Sequence, residues 1–254
     1  MNRERIFNLP GVVVALLAIL VVVQLVGDLF PETIGSWMLV WFSFIPARLS
    51  FLAAPDQVLR ALADVDADDL AVLLNTAKFS WWTPLSYAFL HANWTHLAIN
   101  GVMLAAFGAP VARRLGSTRF LLFFATTAIA GALAHLAAHP FDIEPVVGAS
   151  AAISGAMAAI ARFAFAPGEA LGKRAMGRDD AHETRGPQPL SRLFVDRRAT
   201  AFLLSWFGAN LLFGLIPGAS GVAGVVAWEA HIGGFLAGVL LFGWFDPRDA
   251  AARG

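Results

Sequence analysis

Six apolar stretches, each about as long as a membrane-spanning helix, constrain this chain more than any other feature. A helix needs about 20 apolar residues to cross the ~30 Å hydrocarbon core of a bilayer. The stretches are Val12 to Phe30, Asn93 to Ala112, Phe120 to Ala138, Val146 to Phe165, Thr200 to Ile216 and Val222 to Phe245. Because backbone polar groups in lipid must be paired within the segment, the pattern predicts an all-α membrane protein with six transmembrane helices.

The composition agrees with a membrane protein and excludes several other classes. Hydrophobic residues make up 58% of the 254 residues and charged residues only 14%, which is unlike a soluble domain. The 18 Lys and Arg residues balance the 18 Asp and Glu residues, so no basic excess predicts a nucleic-acid partner. The absence of cysteine excludes disulfides and a cysteine nucleophile.

The positions of the basic residues predict the orientation. Loops on the cytoplasmic side of a membrane carry an excess of Lys and Arg. All Lys and Arg residues except Arg48, Arg60 and Lys78 fall on the side of the N-terminus. The prediction is therefore a multi-pass protein of a bacterial inner membrane. Its cytoplasmic parts are 1–11, 166–199 and 246–254.

Two connections between the predicted spans are long. The outer loop 31–80 contains the apolar segment Trp37 to Ile45, which is too short to span and is predicted to lie at the membrane interface. An amphipathic stretch around Val58 to Leu74 follows it. The stretch Gly168 to Arg198 is rich in Gly, Pro and charge and is predicted to be a flexible loop. We expect a single membrane domain over 1–254.

Polar side chains inside the predicted spans are concentrated in three helices that run in the same direction. Such side chains are costly in hydrocarbon and are functional candidates by default. They lie in the first turns of the second, fourth and sixth spans: His91, Asn93, Thr95, His96, Asn100, Ser150, Ser154, Glu229 and His231. This placement predicts one polar site at a common depth near the outer surface.

Small residues in the fourth and sixth spans favour close helix packing. Ala151, Gly155 and Ala159 recur every four residues, and Gly234 to Gly238 is a GxxxG pattern. Close packing would bring a serine of one helix near a histidine of the other, and such a pair is a minimal activated nucleophile. Glu229 precedes His231 by two residues and is expected to point elsewhere.

The same region offers donors for an oxyanion. His96 and Asn100 are four residues apart and share one helix face. The backbone N–H of Ser150 is expected near a helix start, where the free N–H groups and the helix dipole favour an anion.

Three motifs together resemble the signature of the rhomboid intramembrane serine proteases. They are His91-Ala92-Asn93-Trp94-Thr95-His96-Leu97-Ala98-Ile99-Asn100, Gly148-Ala149-Ser150 and Ala230-His231-Ile232-Gly233-Gly234. The resemblance covers roughly Trp81 to Trp244. It implies a six-helix rhomboid bundle, Ser150 as nucleophile, and His231 as general base and acid. His96, Asn100 and the Ser150 N–H would form the oxyanion hole.

The resemblance also implies a substrate class and supporting residues. The partners would be the lipid bilayer and the transmembrane segments of other proteins, which enter beside the second and fifth helices; no cofactor and no metal are implied. The supporting residues are His91, Gly148, Ser154 and Gly234. The oligomeric state is left open.

The chain departs from the family pattern at three positions. Ala151 replaces the glycine that usually follows the serine and adds a methyl group at a close helix contact. Ser154 replaces a common aromatic residue and is a rival nucleophile. Thr83 follows Trp82 where the family often has arginine, so the arginine contacts of the outer loop are expected to be lost.

Other readings stay open at the level of the sequence. His91 is expected to tie down the outer loop by hydrogen bonds. His135 and His139 are spaced to bind a metal ion with Asp142 or Glu144, although half-exposed histidines at a helix end are common without one. The alternative functions are an inactive rhomboid relative that binds transmembrane segments and a small-solute transporter.

Overall fold

The computed structural model describes residues 9–165, 186–193, 195–215 and 227–247. Every regular element in these ranges is helical. The expected cytoplasmic N-terminus before residue 9, most of the loop 166–199, the start of the sixth apolar stretch and the last seven residues lie outside the described residues.

Four described helices are long and apolar enough to cross a membrane. They are α1 (Gly11–Leu29), α7 (Trp94–Leu115), α8 (Ser117–Ala138) and α12 (Trp228–Phe245). Large apolar side chains on their outer faces are exposed, as expected for helices that face lipid; examples are Val22, Leu122 and Leu240. The protein is therefore a helical membrane protein with several spans.

Two further apolar helices complete the bundle. The helix α9 (Ser150–Phe163) has 14 residues and every one after Ser150 is buried, so it is the central helix. The helix α11 (Arg197–Leu215) has 19 residues and packs against both α9 and α12. Before α11 lies the single turn α10 (Leu190–Leu193). The end of the predicted flexible stretch is thus helical, which corrects that part of the expectation.

The fourth apolar stretch begins as an extended segment instead of a helix. Phe44 and Val146 exchange both backbone hydrogen bonds, at 3.1 and 2.9 Å. The N–H of Gly148 donates to the carbonyl of Tyr87 at 3.0 Å. These bonds keep the segment from Val146 to Gly148 out of the helix, which starts only at Ser150.

The long loop after α1 contains five short helices. They are α2 (Glu32–Phe42), α3 (Pro46–Ala53), α4 (Pro55–Ala61), α5 (Ala67–Ala77) and α6 (Thr83–Ser86). Val58, Leu62 and Leu73 form a small apolar cluster with Ile45 and Ala47. The segment is therefore a folded unit with its own core, packed beside α1 and α8.

Glycine allows α8, α9 and α12 to approach closely. A Cβ placed on Gly234 of α12 would lie 2.1 Å from the carbonyl oxygen of Ala151 on α9. A Cβ on Gly238 would lie 2.4 Å from the carbonyl oxygen of Gly155. Such distances are impossible for a real side chain, so the GxxxG pattern of α12 lies directly on the backbone of α9.

Buried charges hold the bundle together at the end opposite Ser150. Arg114, at the end of α7, donates to the Asp246 carboxylate at 2.6 Å, and the side chains of both are almost fully buried. Arg162 of α9 donates to the carbonyls of Gln188 and Val239. We call this group the arginine end. These two arginines therefore link helices inside the protein, in addition to any contribution to orientation.

Candidate active site

A serine and a histidine from two adjacent helices are in hydrogen-bond contact. Ser150 is the first residue of α9, and His231 lies in the first turn of α12. The distance from Ser150 Oγ to His231 Nε2 is 2.6 Å. The close packing of Gly234 on Ala151 sets this distance, because each residue lies within one turn of the paired side chains.

The other ring nitrogen of His231 contacts an asparagine of the fifth apolar helix. Asn210 Oδ1 lies 2.5 Å from His231 Nδ1, and Asn210 Nδ2 donates to the carbonyl of Trp206 at 2.9 Å. The second bond fixes the orientation of the amide, so its oxygen faces the ring. Because that oxygen only accepts, Nδ1 must carry the proton and Nε2 is left to accept the proton of Ser150.

Asn210 is not among the site residues predicted from the sequence, which all lie in the second, fourth and sixth spans. The signal was nonetheless present, because Asn210 is an amide within the apolar stretch Thr200 to Ile216.

His96 and Asn100 lie beside the segment that leads into Ser150. Gly148 has φ +121°, a conformation that favours glycine. A Cβ at this position would come within 2.8 Å of the His96 ring and 3.5 Å of Asn100 Nδ2. Glycine is thus required here for both its backbone conformation and its lack of a side chain.

Two side-chain nitrogen atoms near the serine are buried without a hydrogen-bond partner. They are Asn100 Nδ2 and His96 Nδ1. Unpaired buried donors are rare in folded proteins and call for an explanation. The Ser150 N–H is also at a helix start, where backbone donors have no partner within the helix. The cap of α7 fixes His96, since Asn93 Oδ1 accepts from the His96 N–H at 2.9 Å.

The methyl group of Ala151 is accommodated by a glycine on α8. A Cβ on Gly131 would lie 2.5 Å from the Ala151 Cβ. The extra methyl group that distinguishes this chain from the usual motif therefore fills the space that Gly131 leaves. Ser154 is buried one turn further along α9, and the His231 ring bonds to Ser150.

One expectation about the outer loop is wrong. His91 does not hydrogen-bond to the loop: both of its ring nitrogens are buried without a partner, and the ring packs edge-on against His96 at 5.0 Å between centroids. Burial lowers the pKa of His91 to about 3. The ring is therefore neutral, and its role is to pack against the ring of His96.

The loop also keeps an arginine contact. Arg48 is buried and donates to the carbonyl of Val40, and burial lowers its pKa to about 10. Trp82 stacks on Trp41 and its indole N–H donates to the Trp41 carbonyl at 2.8 Å. Arg48 and Trp82 thus each tie the loop together through a backbone carbonyl of α2.

Glu229 has partners on α8. Its carboxylate oxygens lie 2.8 Å from His139 Nε2 and 3.4 Å from His135 Nδ1. It points away from His231, as expected, and therefore takes no part in the Ser150 and His231 pair.

Comparison with known proteins places the chain in a family. The Rhomboid domain matches residues 78–247. The chain belongs to the rhomboid family. It is 30% identical over 150 residues to YdcA of Bacillus subtilis (strain 168), named as a candidate rhomboid protease; the alignment covers 57% of this chain and 67% of YdcA.

A second rhomboid relative is the rhomboid protease GluP of the same organism. It is 38% identical over 84 residues, which are 33% of this chain and 16% of GluP. All the residues described above at Ser150, His231, His96, Asn100 and Asn210 fall within the Rhomboid match.

Proposed function

We propose that this rhomboid is an intramembrane serine endopeptidase that cleaves transmembrane segments of membrane-anchored proteins. The observation that carries the proposal is the 2.6 Å contact between Ser150 Oγ and His231 Nε2. A serine with a base at this distance, whose own ring is oriented by a third group, is the general form of an activated nucleophile.

The chemistry follows from the bonding of the His231 ring. In attack, Ser150 Oγ would bond to the scissile carbonyl carbon while its proton passes to His231 Nε2. Asn210 would hold Nδ1–H and stabilise the imidazolium that forms, as a neutral counterpart of the usual carboxylate. His231 would then protonate the leaving amine, and water would release the acyl group from Ser150 by the same steps.

The oxyanion of the tetrahedral intermediate would be bound by Asn100 Nδ2, the His96 ring and the Ser150 N–H. Asn100 Nδ2 and the Nε2 side of the His96 ring both face the space beside Gly148, and Asn100 Nδ2 has no hydrogen-bond partner. Donors fixed in advance toward developing charge are often the largest contribution to catalysis. His91 and Gly148 would support this set by packing, and Gly234 by the approach of α12.

The finer architecture belongs to the same proposal. We infer six spans, with α9 and α11 as the fourth and fifth, in one membrane domain over 1–254. The termini and the 166–199 loop would be cytoplasmic, and the helices of 31–80 would lie at the outer face. The protein would sit in a bacterial inner membrane, and substrates would enter between the second and fifth spans.

A serine-directed fluorophosphonate tests the nucleophile without a known substrate. Purified protein in detergent is treated with the probe, and the adduct is mapped by mass spectrometry. We expect labelling at Ser150 that is lost in Ser150→Ala and His231→Ala and kept in Ser154→Ala. Labelling at Ser154 would show that Ser154, and not Ser150, is the reactive serine. No labelling, beside a reactive rhomboid control, would favour the inactive relative, for which Ala151 is the motivating difference.

Asn210 gives a second test, because its proposed role is positioning. Asn210→Ala should slow labelling of Ser150 by about 10–100-fold, a part of the ~10²–10⁴-fold that a general base supplies. Asn210→Asp should retain more of the rate, since a carboxylate also accepts from Nδ1–H. Equal losses in both variants, with unchanged thermal stability, would contradict a positioning role. The exposed Ser205 of the same helix provides the control Ser205→Ala.

A further inference from the structure

Two histidines and a glutamate form a compact cluster outside the proposed active site. We propose that His135, His139 and Glu229 bind a divalent transition-metal ion that bridges α8 and α12. One ligand atom from each residue lies within 4.8 Å of the others. The cluster is at the same end of the bundle as Ser150, and Glu229 is two residues before His231.

The spacing suits a small ion with nitrogen and oxygen ligands. For Zn²⁺, ligand bonds of about 2.0–2.2 Å in a tetrahedral arrangement put the ligand atoms roughly 3.3–3.5 Å apart. The present distances from the Glu229 carboxylate are 3.4 Å to His135 Nδ1 and 2.8 Å to His139 Nε2. The three ligand atoms lie within 4.8 Å of one another, so a movement of about 1 Å, mainly of the exposed His139 ring, would complete the site.

The environment of His135 supplies a second, independent argument. Its side chain is 6% exposed, and its Nε2 atom is buried without a hydrogen-bond partner. Asp142 Oδ2 lies 3.8 Å from this atom. Metal-ligating histidines usually present their other nitrogen to a carboxylate that orients the ring. Ligation through Nδ1 would put a proton on Nε2, facing Asp142, and so account for an atom that is otherwise orphaned.

The donor set also indicates which metals fit. Imidazole and carboxylate ligands suit Zn²⁺ and similar first-row ions, whereas Ca²⁺ and Mg²⁺ prefer oxygen ligands alone. From the sequence, Asp142 or Glu144 is the carboxylate expected beside this histidine pair. In the structure Glu229 of α12 is the close carboxylate, and Asp142 lies in the outer shell.

Such an ion would fasten the helix that carries His231. Glu229 is the second residue of α12, and both histidines lie in the last turn of α8 or just beyond it. Binding to the folded protein alone would stabilise it in proportion to the logarithm of metal concentration. The site would thus set the stability of the α8 and α12 pair without entering the chemistry of Ser150.

The test is a titration with Zn²⁺ alone. Protein without a polyhistidine tag, in detergent and treated with a chelator, is titrated against a chromophoric Zn²⁺ indicator. Thermal unfolding is followed in parallel. We expect one ion per chain and a rise in Tm that Ca²⁺ and Mg²⁺ do not produce. His139→Ala and Glu229→Gln should each weaken binding by about 100-fold or more, since even outer-shell partners are worth about 10–100-fold.

Two control variants separate this site from others. Glu144→Gln removes an exposed carboxylate of the same loop and should leave the affinity unchanged. His231→Ala should also keep the ion, because the active-site histidine is not a ligand. Binding that survives both His139→Ala and Glu229→Gln, or is lost in His231→Ala, overturns the proposal. No binding in the wild type would mean that the cluster is a hydrogen-bonded bridge only.

Discussion

The two ends of the helix bundle bury polar groups in opposite ways. At the arginine end, the charged groups of Arg114 and Asp246 pair directly. Around Ser150 at the other end, the polar side chains that the structure describes form no ion pair with one another, and Asn100 Nδ2 and His96 Nδ1 lack hydrogen-bond partners. The same helices, α7, α9 and α12, contribute to both ends.

The difference distinguishes a structural contact from a reactive site. A buried charge that is fully paired stabilises the arrangement of helices and has nothing left to offer a ligand. A buried donor without a partner is costly to the folded state and is retained where another molecule completes it. On this basis the arginine end stabilises the helix bundle, and the other end is where we propose that the reaction takes place.

The largest effect should come from breaking the arginine end. Arg114→Met removes the arginine that pairs with the buried Asp246 carboxylate, and breaking a buried ion pair in this way costs about 3–5 kcal/mol in the free energy of unfolding. Denaturant titration in detergent measures it. Arg119→Met, at an exposed position of α8, should change stability by no more than about 0.5 kcal/mol. If folded Arg114→Met protein failed to label at Ser150, the two ends would not be separable.

Replacing Asn100 should have the opposite effect to replacing Arg114: the reaction rate should fall while stability does not. Asn100→Ala removes a proposed oxyanion donor and should lower the rate of Ser150 labelling ~10²–10³-fold. Its stability should stay level or rise, because an unpaired buried amide is removed. Labelling kinetics and thermal unfolding of the same sample check both halves. Thr95→Val, on the exposed face of α7, is the matched control. A large loss of stability would show that Asn100 is structural.

The contact between Gly234 of α12 and Ala151 of α9 should have an effect of intermediate size. Gly234→Ala puts a Cβ 2.1 Å from the Ala151 carbonyl, and we expect a loss of about 1–3 kcal/mol together with slower labelling. Gly208→Ala has open space at its Cβ and should be neutral or slightly stabilising. Similar results for both variants would refute the close approach of α12 to α9.

The last prediction concerns pH and His91, and its effect is small over any single pH unit. Burial lowers the pKa of His91 from 6.5 to about 3, with the neighbouring His96 as a lesser cause. The unfolded chain therefore takes up a proton below pH 6.5 that the folded protein does not, so stability falls from about pH 6.5 toward pH 3. The slope for one group is at most about 1.4 kcal/mol per pH unit. His91→Leu should flatten it, and an unchanged slope would contradict the burial of a neutral ring.

Much of the helical frame follows from the sequence because long apolar runs have few alternatives in a bilayer. The start of α9 does not follow, since backbone pairing with Phe44, distant in sequence, keeps the residues up to Val146 extended. The wide π-type turn Leu104–Gly108 within α7 was likewise not predicted. Periodicity within one segment carries no information on either feature.

The candidate site was likewise predicted from the sequence only in part. Ser150, His231, His96 and Asn100 were selected because they are polar groups in apolar helices, and motif order placed them on particular helices. Asn210 is also a polar group in an apolar stretch, but its role depends on how α11 packs against α12. No local sequence pattern encodes that packing, so Asn210 was overlooked. The two partners of Glu229 were missed for the same reason, since His135 and His139 are distant from it in sequence.

The backbone pairing of Phe44 with Val146 has a practical consequence for anyone trimming this protein. Phe44 lies before the Rhomboid match at 78–247, and Val146 lies within it, four residues before the serine. A fragment cut to the matched residues would keep every side chain of the proposed site. It would nonetheless lose the main-chain partner of Val146, so the boundary of the smallest working fragment should be drawn before the loop helices and not at residue 78.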